Sequence, residues 1–165
     1  GEPKTVPLPE TTTPQPVRGG DAPVPRDMSL RDAALAAGRT RAGIVALFGR
    51  PDSTIARAVA NRHDPSQTDT IALLHYADAR YVLYLVTGGG ELLELADIGG
   101  DRHLRHTRPG IGSPVDSLVA WLGEPSRRRS DALEYECLSC EVPQPVTFHL
   151  DGGRVDRIRF DFYVD

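Results

Sequence analysis

Cys137 and Cys140, in the run CLSC, are the only thiols in this sequence of 165 residues and its most reactive pair of side chains. A C-x-x-C pair does redox chemistry when its first cysteine sits at a helix N-terminus, where the local field lowers the thiol pKa. Here the pair interrupts a strand-like run, ALEYECL, and is followed by EVPQPV. A closed zinc site needs four ligands, and with no second C-x-x-C it would have to recruit His149 and one more side chain. A structural disulfide between Cys137 and Cys140 is favoured over free thiols and over metal or redox use, and it is the natural outcome in an oxidising compartment.

His103 and His106, in DRHLRHTRPG, have a spacing that would place two ligands on one helical face. The segment lacks apolar periodicity, so a solvated basic linker is the better expectation. The arginines of SRRRS (126–130) are expected in an exposed loop able to meet an acidic partner. The run GIGSPV is a helix cap rather than a G-x-S-x-G elbow, and neither H-E-x-x-H nor a P-loop occurs. These residues point to no catalytic group, metal or cofactor, and to a protein that is not an enzyme. A thiol- or metal-dependent enzyme centred on Cys137 and Cys140 is the outlying alternative.

The elements that would position such groups begin with a tether. Seven of the 14 prolines fall in residues 1–25, with four threonines and almost nothing apolar, which predicts an extended, flexible segment over 1–27. The chain opens without Met, straight into this tract, as a mature form would. No apolar run approaches the length of a membrane-spanning helix. A net charge of -4 without a concentrated basic surface argues against nucleic acid as the partner.

The phrase IVALFGRP (44–51) returns as LVAWLGEP (118–125). Aligning residues 38–51 with 112–125 gives five identities in 14 positions, where ordinary usage gives about one. Each copy reads as a capped helix: Thr40 and Ser113 as caps, Gly49 and Gly123 as stops, and the stripes Ile44, Leu47, Phe48 and Leu118, Trp121, Leu122 toward a core. A further short helix, capped by Ser29, precedes the first copy at DMSLRDAALAAG. Three strand-like runs follow each copy, the last two joined by glycine turns at 88–90 and 152–153. The first copy carries an insertion around ARAVANRHDPSQTDT, part of it read as a helix capped by Ser53. The expected fold is α+β, with two tandem repeats of a helix plus a three-stranded antiparallel meander and the helices on one face of the sheet. Its divisions are the tether 1–27, a first repeat 28–99, a linker 100–111 and a second repeat 112–165.

Strand alternation places Tyr81, Leu83, Leu85, Val146, Phe148 and Leu150 under the helices, and Val82, Tyr84, His149, Arg157 and Arg159 on the open face. Aromatic and arginine side chains are frequent interface anchors, so those five are the expected partner-binding residues.

The glycine, the short capped helix ending L-G-x-P, the aromatic strand and the glycine hairpin are carried by Gly112, Ser113, Val119, Leu122, Gly123, Pro125, Tyr135, Phe148, Gly152, Gly153 and Val155. This unit resembles the small outer-membrane lipoprotein family of BamE (SmpA/OmlA), and its tandem use resembles the architecture of the beta-lactamase inhibitor protein. The second half fits well and the first more loosely, and the usual G-M-T opening reads GSP at 112–114 and GRT at 38–40. The resemblance implies a periplasmic protein tethered to the outer membrane by a lipid anchor upstream of Gly1. It further implies a non-catalytic module that binds another envelope or secreted protein, or alternatively a dedicated inhibitor or immunity protein against a secreted hydrolase. In periplasmically produced protein, mass spectrometry should find Cys137 bonded to Cys140, and reduction should cost about 2 kcal/mol because the closed loop is short. Two free thiols there would refute the pairing.

Overall fold

The computed structural model describes Gly1 and residues 39–105, 109–136 and 144–162. Residues 2–38, with most of the expected tether and the expected helix at 29–37, lie outside them, as do His106, Cys137 and Cys140. Helix α1 (Arg41–Phe48) is followed by strands β1 (Ser53–Ala60), β2 (Thr68–Tyr76), β3 (Ala79–Leu85) and β4 (Glu91–Ile98). After a 3₁₀ turn at Asp101–His103 come helix α2 (Val115–Leu122) and strands β5 (Arg127–Arg129), β6 (Ala132–Tyr135), β7 (Val146–Asp151) and β8 (Arg154–Asp161).

Local chemistry sets the helix ends. The Thr40 side chain accepts from the Gly43 N–H at 3.1 Å, satisfying one of the unpaired donors of the first turn of α1. Both helices stop at glycines whose backbones adopt φ of 82° (Gly49) and 79° (Gly123), a region that costs other residues energy. Ser113, expected as the cap of α2, does another job. Pro114 is the N-cap, and the Ser113 hydroxyl instead accepts from the Gly110 N–H at 3.1 Å. The start of α2 is pinned to the β7–β8 hairpin, since Val115 N–H donates to Gly153 O and Val155 N–H donates to Ser113 O.

All eight strands form one antiparallel sheet, in the order β1-β2-β3-β4-β8-β7-β6-β5. Each helix is followed by four strands, so the expectation of two tandem helix-plus-three-strand repeats is incorrect. Two strands were missing from it. The segment read as a Ser53-capped helix is β1, which is exposed along nearly its whole length and therefore lacks the alternation that marks a half-buried strand. Eight consecutive pairings with β2, from Ser53↔His75 to Ala60↔Thr68, override the helical leaning of its alanines. The SRRRS run is likewise an edge strand, Arg127–Arg129 pairing with Glu134, Leu133 and Ala132, and not a loop.

The core lies between the helices and one face of the sheet. Ile44 from α1 and Leu118 and Leu122 from α2 are buried in one cluster with Leu74, Tyr81, Leu83, Ile98, Leu133, Tyr135, Phe148, Ile158 and Phe160. Two matching contacts tie helix to sheet. Tyr76 Oη donates to Gly49 O at 2.8 Å, and Tyr135 Oη donates to Gly123 O at 2.9 Å, each satisfying a carbonyl at a helix exit. The expected stripes need adjustment, because Leu47 is 56% exposed and Trp121 only half-buried, which leaves Ile44 and Leu118 as the anchors. Leu118→Ala should cost about 2–5 kcal/mol in urea unfolding, from lost burial plus a cavity, whereas Leu47→Ala should change stability by less than about 0.5 kcal/mol. Equal losses from the two substitutions would contradict this placement of the core.

Candidate functional site

Strand register defines the sheet face opposite the helices. One row crosses the whole sheet: Ser53, His75, Arg80, Asp97, Arg159, Thr147, Glu134 and Arg127 are successive cross-strand partners. This row is polar throughout. The adjacent row is apolar over the first four strands, with Ile55 opposite Leu73, Leu73 opposite Val82, and Val82 opposite Leu95. Beside it Leu92 pairs with Tyr84.

Four of the five residues expected on this face meet there with accessible surface. Val82 is half-buried in the apolar row, and His149 pairs with Arg157 across β7 and β8. Arg157 is exposed, and Arg159 is half-buried with Nη2 3.0 Å from Asp161 Oδ1. Tyr84 occupies the expected face but is buried. Its hydroxyl donates to Asp69 Oδ2 at 2.6 Å, and its ring lies under the Arg62 guanidinium, 5.1 Å from the ring centre, which in turn binds Glu94 at 2.6 Å. The Tyr84 hydroxyl, then Gln67 and the Thr87 N–H, hold the Asp69 carboxyl well below the usual carboxylate range. That side chain is a brace for the β1–β2 hairpin, because Asn61 Nδ2 also donates to Asp69 at 2.6 Å. Alternation reports which face a residue is on, but not whether a loop arginine covers it.

At the seam between β4 and β8 the polar row deepens into a cleft of about 280 Å³. His75, Arg80, Asp97 and Arg157 line it, with the β2–β3 turn and Gly99. Asp97 is 7% exposed, with Arg80 Nη2 3.5 Å from Oδ2 and Arg157 Nε 3.1 Å from Oδ1.

The turn that forms one wall is held from behind by a network that composition does not reveal. Asp78 accepts from Arg102 Nε at 2.6 Å and Nη2 at 2.8 Å, a bidentate fork, and lies 3.0 Å from His103 Nε2. His103 Nδ1 is 2.7 Å from Tyr81 Oη, so Nε2–H donating to Asp78 and Tyr81 O–H donating to Nδ1 satisfies both nitrogens. The imidazole is fully buried, and its centre lies 4.0 Å from that of the Phe48 ring. The expected solvated linker is thus, at His103, part of the packed interior. Gly99 and Gly100 are the sequence signal that could have found it, since a Cβ at Gly100 would meet Asp78 Oδ2 at 2.6 Å. Arg102's hydrogen bonds hold the Asp78 carboxyl well below its ordinary pKa, and burial pushes the Tyr81 phenol up.

Among the described residues no three His, Cys, Asp or Glu side chains are grouped to hold a metal ion, and no helix is long and apolar enough to cross a membrane. Comparison with family models, with curated proteins and with solved structures finds no match.

Burial disfavours the imidazolium, so folding holds His103 below its ordinary pKa of 6.5, with Asp78 opposing the shift. The neutral ring belongs to the folded state. Its stabilisation is complete above the unfolded pKa and is lost as the pH falls, because the unfolded chain then binds a proton that the folded chain refuses. The urea midpoint should fall between pH 7.5 and pH 5 in the native protein and fall less in His103→Gln. Equal falls in both would assign the titration elsewhere.

Proposed function

We propose that this chain is a non-catalytic protein-binding module of the bacterial cell envelope that meets its partner with the open face of the sheet. The observation that carries this is the apolar row left on that face. Ile55 is 60% exposed and Leu92 41%, beside the half-buried Ile71, Leu73, Val82 and Leu95. The outer face of an antiparallel sheet is ordinarily polar, and contiguous apolar surface with a charged rim marks association sites. Here the rim is arginine-rich: Arg57 and Arg62 on one side, Arg157 and Arg159 on the other. The envelope setting, implied by the resemblance to the BamE family, and a tether over residues 1–27, read from its proline- and threonine-rich composition, are part of the same proposal.

A photo-crosslinking residue placed at Leu92, in the organism's own envelope, should give a discrete adduct that Ile55→Asp abolishes. The same residue at Ala120, on the exposed side of α2, should give none. Adducts equal at the two positions, or absent from Leu92, would remove the proposal.

A further inference from the structure

Four charged side chains line the cleft beside the apolar row, Arg80, Arg157, Asp78 and Asp97, and Asp78 is already neutralised by the bidentate Arg102 behind the turn, which leaves two guanidinium groups to one carboxylate. Arg80 and Arg157 share one carboxylate, Asp97, while Arg159 has its own partner in Asp161. Asp97 is 7% exposed, yet the side chains of Arg80 and Arg157 are 43% and 52% exposed and border the cleft. Neither arginine is locked. Arg157 Nε approaches Asp97 Oδ1 to 3.1 Å, but off the hydrogen-bonding line, so that oxygen accepts no hydrogen bond. Arg80 reaches Asp97 only at 3.5 Å, and its Nε is buried without an acceptor. A guanidinium normally satisfies its planar fork on a carboxylate, and here two forks have one poorly aligned carboxylate between them.

We infer that this cleft receives the carboxylate of an aspartate or glutamate side chain from a protein partner, held between Arg80 and Arg157. The inference rests on the open face being the docking face. With Asp78 neutralised by Arg102, the remaining excess of one positive charge, Arg80 and Arg157 against Asp97, matches a monoanion. A phosphate dianion would leave the cleft with a net negative charge beside Asp97, and an ammonium group would meet two arginines. Within the cleft a nucleic-acid backbone would find only these two guanidinium groups, on a chain whose net charge is -4. The apolar row ends at Leu95, whose partner across the seam is Asp161, so a chain lying on Ile55, Leu73, Val82 and Leu95 reaches the cleft edge without crossing other elements. Asp97 then acts as a positioning residue that keeps the two arginines together against their mutual repulsion.

The test uses ¹⁵N-labelled protein and the arginine Nε–Hε resonances, titrated with the capped peptide Ac-Gly-Glu-Gly-NH₂ at physiological salt. The Arg80 and Arg157 resonances should shift saturably, while those of Arg127, Arg128 and Arg129 should not. Affinity for Ac-Gly-Gln-Gly-NH₂, and for the glutamate peptide in Arg80→Gln or Arg157→Gln, should be lower by about tenfold, the scale of one lost charged contact. Both substitutions are at partly exposed positions, and an unchanged melting temperature confirms that the fold persists. Shifts that fail to saturate, that spread equally to Arg127–Arg129, or that are stronger with inorganic phosphate would overturn the inference. If the Leu92 adduct survives while the peptide fails to bind, the carboxylate site alone falls. If both fail, the docking face falls with it.

Discussion

Cover is what this fold is short of. Among the described residues, two helices of eight residues each pack against an eight-stranded sheet, and both lie on the same side. Burial must therefore concentrate where those helices reach, on the central strands, where Ile44, Leu118 and Leu122 meet Tyr81, Ile98, Tyr135 and Phe160. The edge strands β1 and β5 are exposed along almost all of their length. The same shortage leaves the second face of the sheet to side chains alone, and these divide into an apolar row over β1–β4 and a polar row across every strand. The arrangement that stabilises the chain on one side creates its available surface on the other.

The seam between β4 and β8 is where the two faces are most closely coupled. Ala96 and Ile98 pair with Phe160 and Ile158 on the core side, and Asp97 pairs with Arg159 between them on the open side. Apolar burial beneath the seam fixes the spacing of the charges above it, so the arginines of the cleft are carried by the most deeply packed strands. A site on rigid strands holds its geometry better than one on loops. The β2–β3 turn, otherwise a free tip, is given comparable firmness by the Asp78, Arg102, His103 and Tyr81 network.

Legibility in the sequence followed burial. Both helices, their glycine exits, the glycine hairpins and strands such as β3 and β7 have one face in the core and so carry a readable period. Strand β1 has neither face buried and left no period, and β5, three arginines long, looks like a loop because its only strand property is its pairing. These two omissions turned a four-strand unit into a three-strand one. Among the residues expected on the open face, Val82, His149, Arg157 and Arg159 were placed there by alternation. Tyr84 was put on the correct face, but its cover, Arg62, comes from a loop. Arg80 and Asp97 were missed because a charged residue in a strand carries no mark of its cross-strand partner. His103 was missed because its burial depends on a turn 25 residues earlier.

The strand order has a consequence for how the molecule is assembled in time. Strands β1 to β4 are neighbours in both chain and sheet, so each can pair as soon as it is synthesised, through short loop closures. Among the described residues the second group joins the first only through β8, the last of these eight strands in chain order, and the pairing of Leu95 with Asp161 closes a long stretch of chain. Non-local pairings of this kind form slowly. The edge of β4 in a nascent chain thus stays unpaired, a template for wrong partners, until Ile158 to Asp161 arrive.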